Sequence, residues 1–183
     1  MVLIGLTGTH GAGKGTITDY LCREHGFSCF SVSEFLAEEA QRRGVHPDRV
    51  ARGAIANEYR SQGSTALMEA VLAAVPAGVE RIVLEPQYTA DEVRFVQEHG
   101  GVVLAIDADI VQRYKRVHVR GSAKDDVSFE EFRERQEREM TGETGEQNLA
   151  DAMAAADVHM SNDTTREALE AAVREVLAAR GIF

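Results

Sequence analysis

With 183 residues, 44% apolar and 27% charged, the chain can build one full hydrophobic core and not comfortably two. No apolar run approaches the ~20 residues that cross a bilayer. No basic stretch precedes the opening apolar run, so a cytoplasmic protein without a leader is expected. The formal net charge of −10 argues against nonspecific nucleic-acid binding as the main role and makes neither a nucleic-acid nor a membrane partner expected.

Val2 to Leu6 is a short apolar run bounded by glycine, the pattern of a buried strand. Helical spacing follows from Gly13 to about His25, with Ile17, Leu21 and Cys22 on one face. Cys22 and Cys29 lack C-x-x-C spacing and a histidine-rich partner, so reduced thiols rather than a zinc site are expected. Ser28 to Val32 reads as a second strand, and Ser31 with Glu34 has capping-box spacing for a helix ending at Gly44. His46-Pro47-Asp48 opens a helix to about Gln62, and Ser64 to Val75 forms another, stopped by Pro76 and Gly78.

Arg81 to Glu85 is a third strand, closed by Pro86. Thr89 and Glu92 begin a helix to His99, and Val102 to Ile106 is a fourth strand. Asp109 caps a helix carrying a basic run, and Ser128 with Glu131 caps a highly charged one to Met140. A helix over about 147–156 precedes a short fifth strand, Val158 to Met160. Thr164 with Glu167 starts a final helix, with Leu169, Val173, Val176 and Leu177 on one face. Apolar strands alternating with helices predict one α/β domain in three layers: a five-stranded parallel sheet with helices on both faces. The strandless stretch from Arg113 to about Gly145 is expected to project as a flap.

The first strand runs into G-T-H-G-A-G-K-G-T, residues 8–16. Gly8, Gly11, Gly13 and Gly15 let backbone N–H groups turn inward around a phosphate chain, and a helix N-terminus adds its positive dipole end. Lys14 supplies a point charge toward the β- and γ-phosphates, with Thr9, His10 and Ala12 completing the loop. The position after the lysine, where a metal-binding hydroxyl often stands, holds Gly15. Thr16 lies one residue later, so Mg²⁺ is expected to be held through Thr16, water and a carboxylate. Glu85, at the end of an apolar strand, is the leading carboxylate, and Asp107 competes with it. The segment 113–124 carries Arg113, Lys115, Arg116, Arg120 and Lys124 with no acid. Arg113, Arg116 and Arg120 recur at helical spacing, so one face presents three guanidiniums.

The glycine pattern resembles the phosphate loop of adenylate kinases and other nucleoside monophosphate kinases. The later runs I-D-A-D, R-Y-K-R-V-H-V-R-G-S, V-S-F-E-E-F-R-E-R-Q-E-R-E-M and Q-N-L-A-D-A-M-A-A-A-D-V-H-M-S-N-D add to this. Together they are similar to a poorly characterised group of P-loop kinase-like proteins. That group is allied to dephospho-coenzyme A kinases and nucleoside monophosphate kinases, with relatives fused to deoxycytidylate deaminase domains. The resemblance implies a P-loop kinase fold, ATP and Mg²⁺ as cofactors, and a helical lid over 113–145 whose Arg113, Arg116 and Arg120 act in phosphoryl transfer. It also implies that the Ser161-Asn162-Asp163 turn approaches adenine, largely through backbone.

The acceptor is expected near residues 33–75. Where adenylate kinases carry an arginine in G-D-x-L-R, this chain has Ser33-Glu34-Phe35-Leu36-Ala37. Where dephospho-coenzyme A kinases carry a base-forming aspartate, Ser33 and Glu34 stand instead. Ser33, Arg49, Arg52, Arg60 and Glu85 are the candidate acceptor-binding residues. The leading expectation is an ATP-dependent kinase for a (deoxy)nucleoside monophosphate. The alternatives are transfer to a hydroxyl and a nucleotide-binding switch ATPase.

Overall fold

The computed structural model describes residues 1–121, 127–142 and 147–183. Two parts of the expected lid, residues 122–126 with Lys124 and residues 143–146 with Gly145, lie outside the described residues. In chain order the elements are β1 (Val2–Gly8), α1 (Lys14–His25), β2 (Ser28–Ser31), α2 (Val32–Arg42), α3 (Arg49–Gln62), α4 (Ala66–Ala73) and β3 (Arg81–Glu85). They continue with α5 (Ala90–Glu98), β4 (Val102–Asp107), α6 (Ile110–Arg120), α7 (Phe129–Met140), α8 (Leu149–Ala154), β5 (Val158–Ser161) and α9 (Arg166–Ala178).

The five strands pair in the order β2-β3-β1-β4-β5, and every pairing is parallel. Alternation along the strands separates two cores. Leu3, Ile82, Leu84 and Val103 face the layer of α2, α3, α4, α5 and α8, where they meet Leu67, Met68 and Val96. Ile4, Leu6, Val83, Leu104 and Ile106 face α1 and α9, where they meet Ile17, Leu21, Leu169 and Val173. The period of two in a strand assigns neighbouring residues to opposite layers, which is why these runs carry no polar face. Among the described residues, no helix is long and apolar enough to cross a membrane.

The caps follow the expected chemistry, with one shift. Ser31, Asp48, Thr89, Asp109 and Ser128 each accept a backbone N–H in the first turn of the helix they open. At α9 the cap is Thr165, which accepts from Ala168 N, and not Thr164. At α5 the capping box stays half-formed because the Glu92 carboxylate leaves its helix for Arg60 and the Tyr88 N–H.

One further expectation is corrected. Cys22 and Cys29 are joined as a disulfide between α1 and β2, with Cα atoms 6.4 Å apart, within the span such a bond needs. Within the expected lid, the described residues of α6 and α7 pack on each other through apolar side chains. Val117 of α6 and Phe132 of α7 are buried, and Tyr114 meets both Phe129 and Phe132 while its hydroxyl donates to Val127 O. A helix of mixed charge looks solvated along its length, yet two of its turns carry the contacts that seat it.

Arg60 and Glu92 form a buried ion pair, Nη2 to Oε1 2.8 Å, with side chains 3% and 1% exposed. Replacing Arg60 by methionine strands the Glu92 carboxylate in the core. It is expected to lower unfolding stability by about 3–5 kcal/mol, read by chemical denaturation.

Candidate functional site

The C-terminal ends of β1, β3 and β4 converge on residues 8–16. This is the crevice where ligands sit in open α/β sheets. Gly8, Gly11 and Gly13 have φ of +133°, +82° and +110°, so the loop turns through backbone that side chains rarely adopt. At Gly8 the need is absolute, since a Cβ would stand 1.9 Å from Ile106 O. Gly15 differs: it lies on the first turn of α1, exposed, with open space where a Cβ would stand, so it is not one of the turning glycines.

Lys14 folds back over the loop, donating to Gly8 O at 2.5 Å and Thr9 O at 3.0 Å. Burial lowers its pKa to about 8, with Arg113 and Arg120 adding to the fall and Glu85 and Asp107 opposing it. The nearby carboxylate responds in the opposite sense. Burial raises the Glu85 pKa, while Lys14 and a hydrogen bond from Thr18 restrain the rise.

Three residues expected at the ligand instead brace the loop. Thr9 is 2% exposed, and its hydroxyl donates to Asp107 Oδ1 at 2.6 Å, so it cannot serve phosphate with that group. The same Oδ1 of Asp107 also accepts from Ala108 N, while the side chain as a whole is 53% exposed. Asn162 donates Nδ2–H to Ala12 O at 2.6 Å, its N–H donates to Asp107 O, and its carbonyl accepts from Arg116 Nη2 at 2.8 Å. Its backbone groups, expected toward adenine, are therefore engaged within the protein.

Arg113 is 5% exposed. It donates Nε–H to Ala108 O at 2.8 Å and Nη1–H to His10 O at 3.3 Å and to Gln136 Oε1. Of the three arginines expected to present guanidiniums from one helix face, this one is buried where α6 packs against Gly11 of the loop. Arg116 is half-buried, with Nη1 lacking a hydrogen-bond partner, and Arg120 is exposed yet near enough to act on Lys14.

On the acceptor side the structure separates the candidates. Arg60 is bound to Glu92 and Asn57 and is removed from the set, because a guanidinium buried on a carboxylate has no free face. Arg52 curls back to Asp48 O at 3.3 Å. Ser33 is half-buried in the first turn of α2. Arg49 pairs with Glu139 of α7 and lines a cleft with His10, Phe132, Arg135 and Gln136. The half-buried Tyr88, whose pKa is raised by burial, lies within electrostatic reach of Arg49 and Glu85. Tyr88 and Gln136 were not legible from spacing. Asp107 was visible as a strand-end acid, although not as the partner of Thr9.

The cradle fits a polyphosphate: glycines at positive φ line it, and the Lys14 ammonium donates to backbone carbonyls of the loop, which satisfy its N–H groups without cancelling its charge. Thr16 is half-buried, its N–H donating to Gly13 O at 3.0 Å. Among the described residues, no group of three or more His, Cys, Asp or Glu side chains could hold a metal ion unaided.

A family model described as an AAA domain matches residues 7–133. A UPF0200 protein of Pyrobaculum aerophilum is 30% identical over 96% of this chain and 96% of its own length. The chain belongs to the UPF0200 family of AAA-domain proteins. A second UPF0200 protein, from Hyperthermus butylicus, is 28% identical over 97% of this chain and 94% of its own. Shikimate kinase from Bacteroides thetaiotaomicron shares the fold, with a TM-score of 0.62 at 17% identity over 97% of this chain and 98% of that one. The UPF0200 chain thus has the P-loop kinase fold expected from its loop.

The lowered Lys14 pKa has a consequence for nucleotide binding. Phosphate oxygens favour the ammonium and raise its pKa on binding, so ATP association takes up a proton above pH about 8. ATP affinity is expected to fall as pH rises through about 8 and to lose that dependence in Lys14→Arg. Calorimetry in buffers of different ionisation enthalpy measures both.

Proposed function

We propose that this UPF0200 protein transfers a phosphoryl group from ATP to a small phosphorylated acceptor, a (deoxy)nucleoside monophosphate being the leading class. The observation that carries this reading is the placing of Lys14: its ammonium folds over the glycine cradle onto Gly8 O and Thr9 O, with Glu85, Arg113, Arg120 and Asp107 near enough to act on its charge. Phosphoryl transfer asks the protein mainly for alignment and charge neutralisation. A loop lysine facing a second cation and a strand-end carboxylate supplies both.

In this reading the whole chain works as one kinase domain. Residues 33–75 serve the acceptor, residues 113–145 close over the triphosphate, and Arg49 and Arg52 remain as acceptor cations after Arg60 is set aside. Arg116 and Arg120 are the lid arginines, while Arg113 positions the loop through His10 O. Mg²⁺ would be held by Thr16 and Glu85, keeping several waters, as this ion readily does; when bound it neutralises the phosphate oxygens. The branch allied to nucleoside monophosphate and dephospho-coenzyme A kinases is the one whose loop and later runs the chain resembles.

A second reading, transfer to a hydroxyl, is favoured by Glu85. Its burial-raised pKa suits a carboxylate that receives a proton, and the fold neighbour from Bacteroides thetaiotaomicron is named for shikimate. Glu85→Gln separates the two. With a hydroxyl acceptor kcat is expected to drop about 10²–10⁴-fold, whereas a phosphate acceptor needs no base.

The direct test is ADP release from Mg-ATP against AMP, CMP, UMP, GMP, dCMP, dephospho-coenzyme A and shikimate, with Lys14→Ala as the blank. Acceleration by one monophosphate is expected, and Arg116→Ala and Arg120→Ala should each lose turnover while keeping ATP affinity. ATP binding without acceleration by any acceptor would sink the kinase reading and favour a nucleotide-driven switch.

A further inference from the structure

Gln136 lies on α7 in the charged run F-R-E-R-Q-E-R-E and is 7% exposed. Its two amide ends meet different surroundings. Oε1 accepts from Arg113 Nη1, whereas Nε2 is buried without a hydrogen-bond partner. The orientation is dictated by chemistry, because a guanidinium carries donors and no acceptor, so the amide oxygen must face it. Arg113 is itself held by Ala108 O, His10 O and the Asp107 carboxylate, so turning the amide over would set its NH₂ against a fixed guanidinium N–H. The NH₂ group is thereby committed to the opposite side.

Gln136 is also one of the residues lining the cleft beside the loop apex. The cleft opens to solvent, has a volume of about 20 Å³ with the side chains as they stand, room for about one water-sized atom, and is lined by His10, Arg49, Phe132, Arg135, Gln136 and Glu139. Arg49 reaches it from α3 and holds the Glu139 carboxylate there. An anionic oxygen is thus already accommodated at this spot by the protein's own side chain. A buried donor left unmade is costly, and native structures rarely keep one without a use.

We infer that Gln136 is a specificity-determining residue of the acceptor site, donating its Nε2–H to an oxygen lone pair of an anionic acceptor bound in the cleft beside His10. The inference rests on the kinase reading above and adds which atom the site demands: an oxygen acceptor of phosphate or carboxylate directed at α7. Arg49 and Arg135 supply the compensating charge, and the Glu139 carboxylate yields its place on Arg49 to the ligand. Arg113 is then shared between two tasks, bracing the phosphate loop and fixing the direction of the amide. A cavity water on Nε2 is the competing occupant, and it predicts no effect on acceptor affinity.

Gln136→Glu provides the test, since a carboxylate still accepts from Arg113 while the donor is lost. Wild type and variant are compared with Mg-ATP and the monophosphate arm (AMP, CMP, UMP, GMP, dCMP) and with the hydroxy-carboxylate of the same panel. The acceptor KM is expected to rise about tenfold or more, with the ATP KM and unfolding midpoint unchanged. The arm that responds identifies phosphate or carboxylate as the recognised group. In wild type, the Gln136 side-chain amide resonance should shift when that acceptor is added, a readout that stands even if the variant folds poorly. An acceptor that is turned over with unchanged KM in Gln136→Glu and an unmoved amide resonance would overturn the inference and leave the kinase reading intact. If no panel member is phosphorylated by wild type, the kinase reading fails and the inference falls with it.

Discussion

The phosphate loop is shaped by hydrogen bonds that come from outside it. A loop that turns its N–H groups inward for a ligand has few bonds to hold its own form, and three of its glycines sit at positive φ. The bracing is supplied by Asp107 on Thr9, Asn162 on Ala12 and Arg113 on His10. These struts come from the end of β4, the turn after β5 and the helix α6. Because parallel strands end together, the residues that follow them are delivered to the same edge as the loop.

This bracing changes the meaning of the arginines. Arg113 and Arg60 were natural candidates for contact with substrate, and both are buried in the protein's own framework. A guanidinium taken out of water needs partners for its donors, and each of these two found them: carbonyls and an amide for Arg113, a carboxylate for Arg60. Among the described residues, Arg49, Arg52, Arg116 and Arg120 remain as candidate cations, each at least partly exposed. Spacing on a helix reports which residues share a face, but it does not report what that face is pressed against.

The Lys14 ammonium illustrates how the same packing tunes charge. Desolvation lowers its pKa more than Glu85 and Asp107 restore it, so the free loop holds a cation that a polyphosphate would stabilise. Glu85 shows the mirror effect, its ionised form disfavoured by the burial that disfavours the lysine's. Each group makes the other's charge more tolerable.

Local features were legible in the sequence because they depend on neighbours in the chain. The strand-glycine-lysine-helix order of β1, loop and α1, the caps at Ser31, Asp48, Thr89, Asp109 and Ser128, and the apolar strands of a parallel sheet all rest on short-range sterics and hydrogen bonding. The loop's three left-handed glycines were visible too, although Gly15 looked the same as they do and is helical. What tertiary structure alone decided is the pairing of polar groups distant in the chain. Arg60 meets Glu92 across 32 positions, Thr9 meets Asp107 across 98, and Asn162 meets Ala12 across 150. Such partners carry no mark in composition or period, because their contact exists only once the sheet has set its strand order and the helices have packed on it.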